Sequence, residues 1–145
     1  MTPIVQCRDV DKTYQQGRVT VTALQGVDLA VETGGFVALA GPSGSGKTTL
    51  LNLIGGLDLP DSGSIRVNDL DYSTLNPSQL AELRLHHIGF VFQSYNLIPV
   101  LSAAENVEYV MLLQGVPAAQ RRRRSHQILD DVGLQGKYSR RPAEL

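Results

Sequence analysis

Apolar positions run along this chain in two rhythms, and the rhythm changes past the middle. Residues 4–10 and 19–31 carry apolar residues at short, loosely alternating intervals, which predicts one strand and then one or two more. Between them the polar segment from Tyr14 through Gly17 predicts a turn, and Thr33, Gly34 and Gly35 predict another. Residues 36–40 form an unbroken apolar run of strand length, the pattern of a strand covered on both faces. Helical character follows over 48–54 and stops at Gly55 and Gly56. Asp61, Ser62 and Gly63 predict a turn, 64–68 a short strand, and 88–92 another short buried one. Asn76 opens a helix with Pro77 in its first turn, running to about Leu85. Beyond Ser102 the period becomes helical. Ser102 with Glu105 has the spacing of a capping box, and Val107, Val110, Met111 and Leu113 fall near one helical face. A last helix is predicted over 117–132, with Gly133 just past its end. Strands early, one strand–loop–helix unit and helices late predict an α/β domain with a mostly helical appendage.

Composition narrows the classes. The chain has 145 residues, 42% hydrophobic and 19% charged, enough for one ordinary domain with a core. Thirteen basic and 14 acidic residues leave a net charge of -1, so charge gives no case for nucleic acid as the partner. The four arginines 121–124 point around a helix rather than along one face, and read as a solvated surface. The single cysteine, Cys7, can form no internal disulfide and fits a small strand residue. His86 and His87 lack metal-type neighbours at useful spacing and read as structural. No signal-peptide core opens the chain, and no run approaches the ~20 apolar residues of a membrane span. A cytosolic chain is expected, reaching a membrane only through a partner.

The chemistry concentrates between the apolar run at 36–40 and the first helix. Gly41-Pro42-Ser43-Gly44-Ser45-Gly46-Lys47-Thr48 satisfies the phosphate-binding pattern G-x-x-x-x-G-K-[ST]. The glycines let the backbone curl and turn N–H groups into a concave nest. The positive end of the following helix faces the same point. Lys47 supplies a mobile charge for β- and γ-phosphates, and the Thr48 hydroxyl is a Mg²⁺ ligand candidate. The competing reading, a chance glycine-rich turn, explains neither the strand-like run before the loop nor the helix after it. A nucleotide with Mg²⁺ is the expected ligand; kinases, GTPases and many ATPases share this loop, so the motif alone does not choose among them.

The flanks of that loop resemble the ATP-binding subunit of ABC transporters. The loop continues as Thr49-Leu50-Leu51; Ile88-Gly89-Phe90-Val91-Phe92-Gln93 is similar to the strand leading to that family's Q-loop glutamine; and Asn96-Leu97-Ile98-Pro99 and Glu105-Asn106-Val107 also match. The similarity runs over nearly the whole chain, toward the lipoprotein-releasing, macrolide-exporting and cell-division ATPases. Gly35 stands where the family usually has an acidic residue. The resemblance implies a P-loop NTPase core with an N-terminal antiparallel β part over 1–93 and part of a helical subdomain over 94–145. It implies that Tyr14 stacks on adenine, that Gly41 to Thr49 hold the phosphates, and that Gln93 acts catalytically, reaching Mg²⁺ or the attacking water. It further implies a second ATP-binding subunit as a homodimer partner. A membrane permease is implied to dock near 95–101, placing the protein peripherally on the cytoplasmic face of the inner membrane.

Arg141-Pro142-Ala143-Glu144-Leu145 matches the segment that in the family runs into the Leu-Ser-Gly-Gly-Gln signature. The expectation is therefore an N-terminal fragment that binds nucleotide and lacks the catalytic glutamate, with an incomplete sheet and an exposed apolar face. Two alternatives remain open at the sequence level, and a third is set aside. A soluble ABC-type ATPase of DNA repair or translation shares the P-loop but has no permease; the apolar stretch 95–101 speaks for a transporter. A P-loop small-molecule kinase usually carries the loop nearer its N-terminus. A GTPase is disfavoured because Asp130-Asp131-Val132-Gly133 sits at a predicted helix end and no N-K-x-D motif exists.

Overall fold

A computed structural model describes residues 3–145. Two long strands start it: β1 (Val5–Gln16) and β2 (Val19–Val31) pair antiparallel from Val5↔Val31 to Gln16↔Val19. β3 (Ser62–Val67) joins the other side of β1, and the short β4 (Leu70–Asp71) closes the order β2-β1-β3-β4. The turn expected from Tyr14 is thus shorter than the polar pattern suggested. Tyr14 pairs with Val21 inside the ladder, and only Gly17 and Arg18 turn. Polar side chains such as Gln15 and Gln16 are compatible with an exposed ribbon, which needs no apolar alternation.

β1 is bulged, and the bulge decides which side chains enter the core. Its register shifts between Cys7 and Val10 and again up to Thr13, with Asp9 at φ 47. An even strand would send residues 7, 9 and 11 to one face. The slip instead buries Cys7, Val10 and Lys12. Gly63 closes against the same bulge: at φ +81 its position is left-handed, and a Cβ there would lie 2.2 Å from the Asp9 carbonyl oxygen.

Helix α1 (Lys47–Ile54) and helix α2 (Pro77–His87) complete this unit. Leu50 and Leu53 of α1, and Leu80 and Leu83 of α2, pack with Cys7, Val10, Leu24, Ile65, Val67 and Tyr72. Burial pushes the Tyr72 phenol up to about 12, and its hydroxyl donates to the Ile54 carbonyl at the end of α1. Burial likewise pushes the Cys7 thiol up to about 11, which leaves it an inert core residue. Asn76 and Gln79 form a full capping box at the start of α2.

The chain divides after Gly89 into two compact units. In the second, α3 (Ala103–Leu113) and α4 (Ala118–Asp131) pack through Ala103, Ala104 and Leu129, with Val107, Leu134 and Tyr138 alongside. Ser102 and Glu105 make the expected capping box. Within the arginine run, Arg121 departs from a solvated reading. It pairs with Glu108 at 3.6 Å and donates to the Val116 carbonyl at 2.6 Å, tying the two helices together. Its neighbours 122–124 are exposed.

Two expected strands do not form. Segments 36–40 and 88–92 are not paired in any ladder among the described residues. Phe36 is 97% exposed and Val91 101%. A strand is a property of a pair: both runs have the composition of a doubly covered strand, neither has a ladder partner here, and only Leu39 and Ile88 pack partly against the core. No helix among the described residues is long and apolar enough to cross a membrane.

Candidate nucleotide-binding site

The loop 41–46 leads directly into α1, with Gly46 as N-cap at φ 83 and ψ 2. Only a glycine fits there. A Cβ would lie 2.4 Å from the Ala23 carbonyl oxygen and 2.8 Å from Leu24 Cδ2, so β2 touches the loop where the backbone turns left-handed. Gly44 is also left-handed, at φ 80. Helices α2 and α3 satisfy their first N–H groups with side-chain boxes, whereas α1 has neither a side-chain cap nor an acidic residue in its first turn. Its positive end therefore faces outward with backbone donors to offer. Helix α4 also lacks a side-chain cap, but Pro117 precedes it and no glycine loop does.

Lys47 folds back over the loop. Its ammonium donates to the Gly41 carbonyl at 2.8 Å, the Pro42 carbonyl at 2.6 Å and Ser45 Oγ at 3.2 Å. An ammonium has three donors, so this geometry uses all of them, and a phosphate oxygen must replace a loop acceptor to be bound. Thr48 is exposed at the second helical position. A cavity of about 500 Å³ opens at the loop, lined by Gly41, Pro42, Ser45, Gly46 and Lys47 together with apolar Leu24, Val27, Leu39 and Leu50. The apolar wall offers phosphate nothing, so the case for phosphate rests on the loop backbone and Lys47. A larger cavity of about 660 Å³ between α3 and α4 is lined by Glu105 and Glu108 as well as Arg121 and Arg122, and carries no glycine nest.

Tyr14 lies beside α1. Its hydroxyl donates to Asp58 Oδ2 at 2.9 Å, in the loop that follows α1. Burial first, then the Asp58 hydrogen bond and charge, push the Tyr14 phenol up, against smaller opposing effects of Lys12 and Thr49. Asp58 holds Lys12 through Oδ1 at 3.0 Å. Burial by itself would raise the Asp58 carboxyl. Hydrogen bonds from Lys12, the Leu59 amide and Tyr14 outweigh it and hold the group below the ordinary carboxylate range. The Lys12–Asp58 pair behind Tyr14 was not legible in the sequence, because the partners stand 46 residues apart.

Gln93 is exposed and belongs to the second unit. After it, Tyr95 is 91% exposed, Leu97 43% and Val100 70%. Asn106 organises this segment: its Oδ1 accepts from the Ile98 amide at 2.8 Å, and its Nδ2 donates to the carbonyls of Ile98, Leu101 and Ser102 at 3.0–3.1 Å. Sequence reasoning placed Asn106 only within a matching tripeptide; the four bonds assign it the loop.

No three or more His, Cys, Asp or Glu side chains gather to hold a metal among the described residues. The donors present, the Thr48 hydroxyl first, suit a divalent ion carried mainly by phosphate oxygens and water, the hard oxygen ligands that Mg²⁺ takes.

Residues 24–145 match the family model described as ABC transporter. The chain belongs to the ABC transporter family. It is 44% identical over 143 residues to a macrolide export ATP-binding/permease protein MacB of Marinobacter nauticus, covering 99% of this chain and 22% of that protein. It is 43% identical over 144 residues to a lipoprotein-releasing system ATP-binding protein LolD of Saccharophagus degradans, covering 99% and 63%. The chain thus spans less than two thirds of these relatives' length. Among solved structures it is similar to the dimeric ATP-binding cassette MJ0796 in a post-hydrolysis state bound to ADP and Pi, with TM-score 0.89, 38% identity, and coverage of 97% and 62%. The fold is that of a P-loop ABC cassette, with its antiparallel β part and helices as described, and the family binds ATP.

Proposed function

We propose that this chain is the ATP-binding part of an ABC transporter of the LolD and MacB type, coupling ATP binding and hydrolysis to a membrane permease. The observation that carries the proposal is the loop 41–46 ending in an uncapped helix with Lys47 laid across it. On this reading the amides of Gly44, Ser45, Gly46, Lys47 and Thr48 hold the β- and γ-phosphates. Gly41, Pro42 and Ser43 shape the entrance, Thr49 completes the first turn, and Tyr14 stacks on the base. When bound, Mg²⁺ offsets phosphate charge, and Thr48 with Gln93 supplies its protein oxygens. Gln93 is the residue that senses the γ-phosphate and orients water. A second copy faces the P-loop, as the dimeric relatives suggest, and the permease docks at the exposed side chains around 95–101. The protein then sits on the cytoplasmic face of the inner membrane through that permease.

The test is calorimetric titration with Mg·ATP. Lys47→Ala removes a charge-assisted contact and is expected to cost about 1.5–3 kcal/mol of binding, while the melting temperature changes little. Equal affinities in parent and variant would remove the assignment.

A further inference from the structure

The proposed base platform is held in place by an ion pair between a buried lysine and a half-buried aspartate. Lys12, on β1, is only 8% exposed. Its ammonium donates to Asp58 Oδ1 at 3.0 Å and to the Leu59 carbonyl at 2.6 Å, and lies 3.5 Å from Asp61 Oδ1. Asp58 divides its two oxygens. Oδ1 serves Lys12 and the Leu59 amide, the latter at 2.7 Å, while Oδ2 accepts from the Tyr14 hydroxyl at 2.9 Å. The same ammonium lies 5.3 Å from the centroid of the Tyr14 ring. Tyr14 is therefore held at two points, its hydroxyl and one ring face, yet remains 36% exposed.

We propose that Lys12 and Asp58 are positioning residues that fix the Tyr14 ring for a purine base, an inference that rests on the reading of Tyr14 as the base platform. An exposed tyrosine must lose rotamer freedom when a base stacks on it; a ring already fixed has lost it on folding. The geometry also links platform and phosphate site. Asp58 follows α1 by way of Gly55 and Gly56 and holds the Tyr14 hydroxyl, so the ring is referenced to the helix whose first turn faces the phosphates. Burying Lys12 is costly unless it is fully paired, and three oxygens within reach meet that cost.

The experiment compares Mg·ATP with Mg·tripolyphosphate, which has the phosphates and no base, in parent, Tyr14→Phe, Asp58→Ala, the double variant and Tyr14→Ala. Loss of the anchor is expected to weaken Mg·ATP about 2- to 12-fold, the range for immobilising one side chain, in both single variants. The double variant should lose no more than Asp58→Ala alone, because the hydroxyl that Tyr14→Phe removes already has no acceptor there. Tripolyphosphate affinity should not move. Should Asp58→Ala fail to fold, Tyr14→Phe keeps the ring and removes only the hydroxyl, and the same ratio decides. Unchanged Mg·ATP affinity in Tyr14→Ala overturns the platform reading itself. A loss in Tyr14→Ala with no loss in Tyr14→Phe and Asp58→Ala overturns the positioning role alone. Equal losses for both ligands would make the pair merely structural and contradict the inference.

Discussion

At the residue scale, Gly46 and Lys47 define the phosphate site. Gly46 is sterically compelled: its left-handed φ, and the 2.4 Å that would separate any Cβ from the Ala23 carbonyl oxygen, leave no room for a side chain. Gly46→Ala is expected to lower stability by about 1–3 kcal/mol or more, read as a drop in melting temperature, and to weaken nucleotide binding as well. An alanine variant as stable as the parent would mean that the loop is not held as described. The motif around Lys47 was legible because its spacing is local. The network of Lys12, Tyr14, Asp58 and Asp61 was not, because it joins β1 to the loop after α1 across more than forty residues. No local pattern marks such a pair. Tyr14 itself was legible only through resemblance; the polar run around it has the composition of a turn, and the ladder to Val21 overrides that preference.

At the element scale, signals that are local in sequence were the ones that matched. The capping box at Ser102, the helix start at Asn76 and the glycine stops after α1 and α4 appear where spacing put them, whereas the box that Gln79 completes with Asn76 is seen only in the structure. The runs 36–40 and 88–92 have the composition of strands, and composition does not supply the neighbour that makes a strand. The bulge in β1 escaped for a related reason: it shows only when β3 and β2 are set against it. The β part also carries a pH dependence. Hydrogen bonds from the Thr13 side chain and amide hold Asp61 below its ordinary value of 3.8, and those from Ser62 and the Gly26 amide do the same for Asp11. Such groups bind a proton more weakly folded than unfolded, so their contribution is complete above 3.8 and is lost as the pH falls through the lower folded values. Melting temperature followed from about pH 5 to about pH 2 should fall, and fall less steeply in Asp61→Asn. An identical slope in the variant would show that Asp61 does not carry this linkage.

At the scale of the whole molecule, the chain reads as an ABC cassette whose two units divide labour. The first unit carries the P-loop and the proposed base platform, and the second carries Gln93 and the exposed apolar segment that Asn106 ties to α3. If that segment is the permease contact, Leu97→Asp should weaken co-purification with the permease and leave Mg·ATP affinity unchanged. Loss of both, with a collapsed melting temperature, would assign Leu97 to a core. Everything proposed for the site depends on phosphates being held by backbone amides at the start of α1, and amide chemical shifts followed through a Mg·ATP titration read those amides one by one. Gly44, Ser45, Gly46, Lys47 and Thr48 should shift first and furthest, with the cavity between α3 and α4 unaffected. Shifts concentrated in α3 and α4, with 44–48 silent, would place the nucleotide elsewhere and overturn the assignment.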